Sequence, residues 1–148
     1  MTTLSRTTRS EAETEAFAAE IARRVRPPLV LLLEGDLGAG KTAFVRGFVR
    51  ALPGGERAVV QSPTFALARS YPTTPRVHHL DLYRLAGAHG LEELGLLELV
   101  HDEGAFCFVE WPRDLAPAGP VARVRIGGSS AEADLRDIEL VLPDARDA

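Results

Sequence analysis

Eight residues, Gly35-Asp36-Leu37-Gly38-Ala39-Gly40-Lys41-Thr42, fit the spacing G-x-x-x-x-G-K-[ST] of a phosphate-binding P-loop. Glycines at such a point let backbone N–H groups close around phosphate oxygens, because no Cβ blocks the approach or forbids positive φ. A helix starting there adds N–H groups without intrahelical partners and the positive end of its dipole. The motif therefore assigns nucleotide binding to Asp36, Leu37, Gly38, Ala39, Gly40, Lys41, Thr42 and Ala43. Lys41 is expected on the β- and γ-phosphates, and the Thr42 hydroxyl on Mg²⁺. Lys41 is also the only lysine among 17 basic residues; every other one is arginine. A compact ammonium on a flexible stem suits a P-loop, and a planar guanidinium is not its equivalent.

Two carboxylates are candidates to act with that lysine. Ala105 to Val109 is a buried apolar run that ends at Glu110-Trp111-Pro112. Apolar residues followed by an acid form the Walker B pattern, whose carboxylate serves the Mg²⁺ shell; a Glu there could also polarise an attacking water. Asp81 stands where the run Arg76 to Leu80 gives out, at the carboxyl edge of a sheet, although an Asp there is as often a helix N-cap. Thr64, in Gln61-Ser62-Pro63-Thr64-Phe65, lies in a loop shaped by Pro63. It could sense the γ-phosphate or simply bond its own backbone. His79 is read as packing or hydrogen bonding, since no second His or Cys lies at ligand spacing, with His78 on the opposite face of the strand. Trp111 is either a partner contact or a cap on the core.

The elements that must position these groups follow from pattern. Leu29 to Leu33 is a short apolar run, as expected of a strand buried on both faces. Ala43, Phe44, Phe48 and Leu52 recur at helical spacing after the loop. Earlier, residues 3–8 suit a short edge strand, and Ser10 with Glu13 reads as a capping box for a helix. Phe17, Ile21 and Val25 stripe that helix, and Pro27-Pro28 stops it. Phe65 to Tyr71 and Arg76 to Leu80 flank Pro72-Thr73-Thr74-Pro75 as a hairpin or two neighbouring strands. Leu91 to Leu99 is amphipathic and helical. Val121 to Ile126 and Leu135 to Leu142 alternate, as half-exposed antiparallel strands do, and residues 143–148 are expected to fray.

Bulk properties narrow the field. A chain of 148 residues with 45% hydrophobic and 26% charged content reads as one globular α/β domain over 1–148. A net charge of −4 argues against a broad nucleic-acid-binding surface. Cys107, the sole cysteine, excludes an intrachain disulfide and reads as core. No apolar run reaches the ~18 residues of a membrane span, and Met1 to Ser10 lacks the apolar core of a secretory signal, so a cytoplasmic protein without membrane association is expected.

Together, the P-loop, Ser62-Pro63-Thr64-Phe65, His79-Leu80-Asp81-Leu82-Tyr83-Arg84 and Glu110-Trp111-Pro112 resemble the TsaE (YjeE) family. This is the ATPase subunit of the bacterial machinery for N6-threonylcarbamoyladenosine in tRNA. The resemblance runs from about Ser10 to Trp111, with a looser match near Arg136. It implies a compact P-loop NTPase fold with a mixed central sheet flanked by helices, binding ATP and Mg²⁺. It also implies an ATPase that is weak alone and stimulated by a TsaD–TsaB pair, which carries the transferase site and which hydrolysis keeps turning over. tRNA would then be met only through the complex. By matched position Lys41 binds phosphate, Thr42 and Glu110 serve the metal, Thr64 lies in a switch-like loop, and Asp81 lies near metal and water. Arg84 and Trp111 match motif positions without an assigned duty.

Three other readings can be weighed. A P-loop small-molecule kinase would want a substrate lid, and the chain has no spare insertion of about 30 residues to form one. A GTP switch would want [NT]-K-x-D, which is impossible where the only lysine is Lys41. A non-hydrolysing nucleotide-dependent adaptor needs only one strand-end acid to keep Mg²⁺, and this chain has two.

Overall fold

A computed structural model describes residues 1–35, 40–63, 66–83, 95–111, 119–128 and 135–143. Seven strands form one sheet: β1 (Thr2–Thr8), β2 (Leu29–Glu34), β3 (Ala68–Tyr71), β4 (Arg76–Asp81), β5 (Ala105–Glu110), β6 (Val121–Gly128) and β7 (Arg136–Leu142). Their spatial order is β1-β7-β6-β2-β5-β4-β3. β4, β5, β2 and β6 run parallel through the middle, while β3 and β7 pair antiparallel to their neighbours. The sheet is therefore mixed, as the resemblance implies.

Period-2 alternation sorts the central strands into two faces. Leu31, Leu33, Phe106, Phe108 and Val77 share one face with α1 (Glu11–Ala22) and α2 (Lys41–Arg50). Phe48 of α2 sits edge-on to Phe106 and Phe108, with ring centroids 5.0 and 4.9 Å apart. Gly47 lets the two helices approach, because a Cβ there would run into the Glu15 backbone. The opposite face holds Val30, Leu32, Leu80, Cys107 and Val109 under the short α3 (Leu96–Val100). Burial pushes the Cys107 thiol up to about 12, as fits a core cysteine.

Several boundaries differ from the pattern reading. The Ser10 hydroxyl does accept the Glu13 N–H at 3.1 Å, but the Glu13 carboxylate reaches back to the Arg9 N–H and not to that of Ser10. α1 ends at Ala22, well before Pro27, so that Val25 turns in against the core. β3 starts at Ala68, later than the Phe65 expected. β6 continues through Gly127 and Gly128, which the pattern leaves to a linker, because ladder bonds to Asp137 and Arg136 need only backbone. The tail strands are half-exposed and antiparallel to each other, yet β6 also pairs parallel to β2, which alternation alone does not reveal. Of the helix expected over Leu91–Leu99, only Gly95 onward lies within the described residues, and α3 occupies its end.

Candidate active site

The parallel strands place the carboxyl ends of β2, β4 and β5 side by side, and α2 starts over the same edge. Gly40, the N-cap of α2, has φ 102°, a left-handed conformation that glycine adopts without Cβ strain. The Phe44 N–H bonds back to the Gly40 carbonyl at 3.0 Å, which closes the first turn. That leaves the N–H groups of Lys41, Thr42 and Ala43 at the helix start, with no side-chain cap from Gly40 and no acidic residue in the turn. An anion is the natural complement to such an end.

Lys41 is buried, and its Nζ donates to the Gly35 carbonyl at 2.7 Å. Glu110 Oε1 lies 3.5 Å from the same ammonium, and the Trp111 ring lies beneath it, 4.7 Å to the centroid. A recess of about 130 Å³ lined by Leu33, Glu34, Gly35, Lys41 and Trp111 opens here. Larger grooves occur elsewhere, such as one of about 450 Å³ along Ser5, Arg6, Arg125 and Glu139. They lack any convergence of a buried cation with strand-tip acids.

Glu110 closes β5 and Asp81 closes β4, and the two are register partners in the parallel ladder. Both are buried. Alternation from Val77 and Phe108 puts both on the face of α2. The Asp81 carboxylate accepts the Tyr83 N–H at 3.0 Å, the local turn that Asp favours. Whether a helix follows Asp81 lies outside the described residues. Glu110 has a second partner, His79 of β4, whose Nε2 lies 2.6 Å from Oε2. Burial pushes the Glu110 carboxyl up, but the His79 bond and the nearby Lys41 charge outweigh it and hold the group below its ordinary value.

The structure thus brings Lys41, Thr42, Ala43, Gly40, Glu110, Asp81 and Trp111 to one edge of the sheet. Asp36, Leu37, Gly38, Ala39, Thr64 and Arg84 lie outside the described residues. Trp111 is half-buried, with φ 55° and its ring 5.2 Å from that of Tyr83, which is exposed. It packs on the site and reaches solvent at once, so core cap and contact surface are not exclusive for it. His79 belongs to this constellation, although spacing alone reads it only as a packing or hydrogen-bonding residue. The signal that finds it is its parity with Asp81.

The donors suit a hard cation. One hydroxyl and two carboxylates are oxygen ligands, and Mg²⁺ takes one or two carboxylates and completes its shell with water and phosphate. Among the described residues no group of three His, Cys, Asp or Glu forms a closed metal cage.

A parallel-centred sheet, a glycine turn opening a helix, and a buried lysine beside the strand-tip Glu110, itself the register partner of Asp81, define a protein of the P-loop α/β class. The family model described as threonylcarbamoyl adenosine biosynthesis protein TsaE matches residues 8–138, and the chain belongs to the TsaE family. It is similar to the tRNA threonylcarbamoyladenosine biosynthesis protein TsaE of Bacillus subtilis, 40% identical over 127 residues that cover 85% of this chain and 77% of that one. The protein of the same description from Rickettsia bellii is 34% identical over 128 residues, 86% of this chain and 87% of that one. A crystal structure of Bacillus subtilis YdiB superposes with a TM-score of 0.71 at 30% identity, covering 99% of this chain and 89% of that one.

Proposed function

We propose that the protein is an Mg²⁺-dependent ATPase that serves tRNA N6-threonylcarbamoyladenosine formation, weak alone and stimulated by proteins of the TsaD and TsaB type, in the cytoplasm. The observation that carries this reading is the buried Lys41 ammonium set between the Gly35 carbonyl and the Glu110 carboxylate at the mouth of α2. Both partners of the ammonium are oxygen acceptors. Both are ones that a phosphate group can replace.

In this reading the loop from Asp36 to Ala43 cradles the triphosphate with backbone N–H groups. Lys41 moves from Gly35 and Glu110 to the β- and γ-phosphates, where it offsets the charge that builds during transfer. Thr42 and Glu110 would hold Mg²⁺, which when bound supplies further neutralisation of the phosphate oxygens. Glu110 or Asp81 orients water for in-line attack, and Thr64 senses the γ-phosphate from its loop. Tyr83 and Trp111 stand where a partner could read the state of the site. tRNA enters only through the partners, consistent with a net charge of −4.

ATP hydrolysis measured with and without the TsaD–TsaB pair tests the assignment. Stimulation by the pair supports it. Phosphoryl transfer to a nucleoside or other small acceptor would replace it with a kinase, and nucleotide binding without turnover would replace it with an adaptor.

A further inference from the structure

We propose that His79 is the positioning residue for Glu110, holding one carboxylate oxygen from the protein side so that the other stays turned toward the ligand. The inference rests on the hydrolytic reading above and adds a residue to it.

Glu110 has two side-chain partners among the described residues, one on each oxygen. Lys41 takes Oε1 at 3.5 Å, and His79 takes Oε2 at 2.6 Å. These contacts differ in what anchors them. Lys41 is on a flexible four-carbon stem at the helix mouth, and the incoming phosphates claim its ammonium. A carboxylate held by Lys41 alone would lose its orientation as the substrate arrived. His79 is fixed by the core. It is fully buried on β4, and its ring meets the edge of Phe108 at 6.3 Å and 70°. Its backbone is locked in the parallel ladder with Phe108 as register partner. Neither anchor involves the nucleotide, so the grip on Oε2 persists whether or not the site is filled.

The ring itself is set up for this task. Nδ1 is buried and has no hydrogen-bond partner in the described structure. The tautomer that leaves no N–H unpaired carries its proton on Nε2, aimed at Glu110. A residue that only filled space beside Phe108 would not need a polar ring with an unpartnered nitrogen, since burying one has a cost. Hydrogen bonds that orient a metal-ligating carboxylate, the part Glu110 takes in the proposed function, are worth about 10- to 100-fold in metal affinity or activity.

The test uses the full chain with its TsaD–TsaB pair and compares wild type, His79→Phe and His79→Gln. Phe keeps a ring against Phe108 and removes the donor; Gln keeps a donor in reach of Oε2. The expected result is a kcat for His79→Phe lower by about 10- to 100-fold. Affinity for a non-hydrolysable ATP analogue, measured by calorimetry, stays within about 3-fold, and His79→Gln recovers at least half of the loss on a logarithmic scale. In ¹⁵N-histidine spectra of the isolated protein, His79 is expected as the Nε2–H tautomer with a far-downfield, slowly exchanging proton that moves upfield in Glu110→Ala. Wild-type kcat in His79→Phe, equal loss in Phe and Gln, or a ring with its only proton on Nδ1 would overturn the proposal. Absence of hydrolysis in the wild type would instead overturn the hydrolytic reading, and the positioning role with it, while the spectra would still report whether the bond exists.

Discussion

His78 and His79 are neighbours on β4, and each binds a carboxylate, yet the two pairs belong to different parts of the molecule. His79 faces α2 and meets Glu110 at the carboxyl end of β5. His78 faces the other way and meets Asp102, just before the start of β5, at 2.8 Å. Asp102 is saturated by its own chain: Arg76 reaches both oxygens at 3.0 and 3.1 Å, and the Gly104 N–H adds a bond at 3.1 Å. His78 is likewise bound on its other nitrogen, with Ser70 Oγ 2.7 Å away. Glu110 is held differently. One oxygen belongs to His79, and the other faces the Lys41 ammonium, which in the proposed function phosphate would claim. A carboxylate bound on all sides by the protein's own groups is part of the scaffold. One that shares its partner with an incoming ligand is poised for chemistry. Distance alone does not separate them, since each imidazole lies within 2.8 Å of its carboxylate oxygen; the nature of the remaining partner does.

The variants that probe this contrast differ widely in expected size. Lys41→Ala removes the group that phosphate would claim and is expected to abolish nucleotide-dependent turnover; wild-type rates in that variant would refute the phosphate role. Glu110→Ala is expected to lower hydrolysis by about 10²–10³-fold, typical for loss of one preorganised electrostatic group, while ATP binding falls far less. Equal losses in both would place Glu110 on the metal alone. Trp111→Ala is expected to cost about 2 kcal/mol in partner affinity, as a buried aromatic anchor would. Nucleotide affinity would shift by less, since a cation–π contact is worth about 0.5–1 kcal/mol near a surface. Unchanged capture of the TsaD–TsaB pair would remove Trp111 from that interface.

Asp102→Ala sits at the other end of the comparison. It is expected to cost about 1 kcal/mol of stability, with hydrolysis unaffected. The His78 hydrogen bond, then Arg76, lowers the Asp102 pKa to about 2 from 3.8. The pair therefore contributes fully above about pH 4, and its contribution falls away as pH drops through about 2. Thermal unfolding of wild type and variant should converge across that window. A gap that stayed constant down to pH 2 would mean that Asp102 acts by packing and not by charge.

Much of this was legible before any fold was known. The P-loop motif could be read because its eight residues are contiguous and the pattern needs no knowledge of the fold. Glu110 was legible as the end of an apolar run, and Asp81 less so, because the same position serves a helix cap. The role of His79 was not, since a lone histidine within a strand is ordinary until its neighbour is known. The parallel pairing of β6 with β2 was hidden as well. Alternation tells which side of a strand meets water, and both of its edges look alike in sequence.

What the order of residues determined by itself is local: where a glycine turn opens a helix, which runs are buried on both faces, and which side of a strand each residue shares with its second neighbour. These follow from covalent spacing and from the 3.6 and 2.0 periods of helix and strand. The tertiary structure decided which strand edges meet. That choice set Asp81 beside Glu110, put His79 within 2.6 Å of a residue 31 positions away, and laid Trp111 under Lys41. Such contacts join distant parts of the chain, and only the packing of helices and sheet as a whole selects among the pairings that local pattern allows.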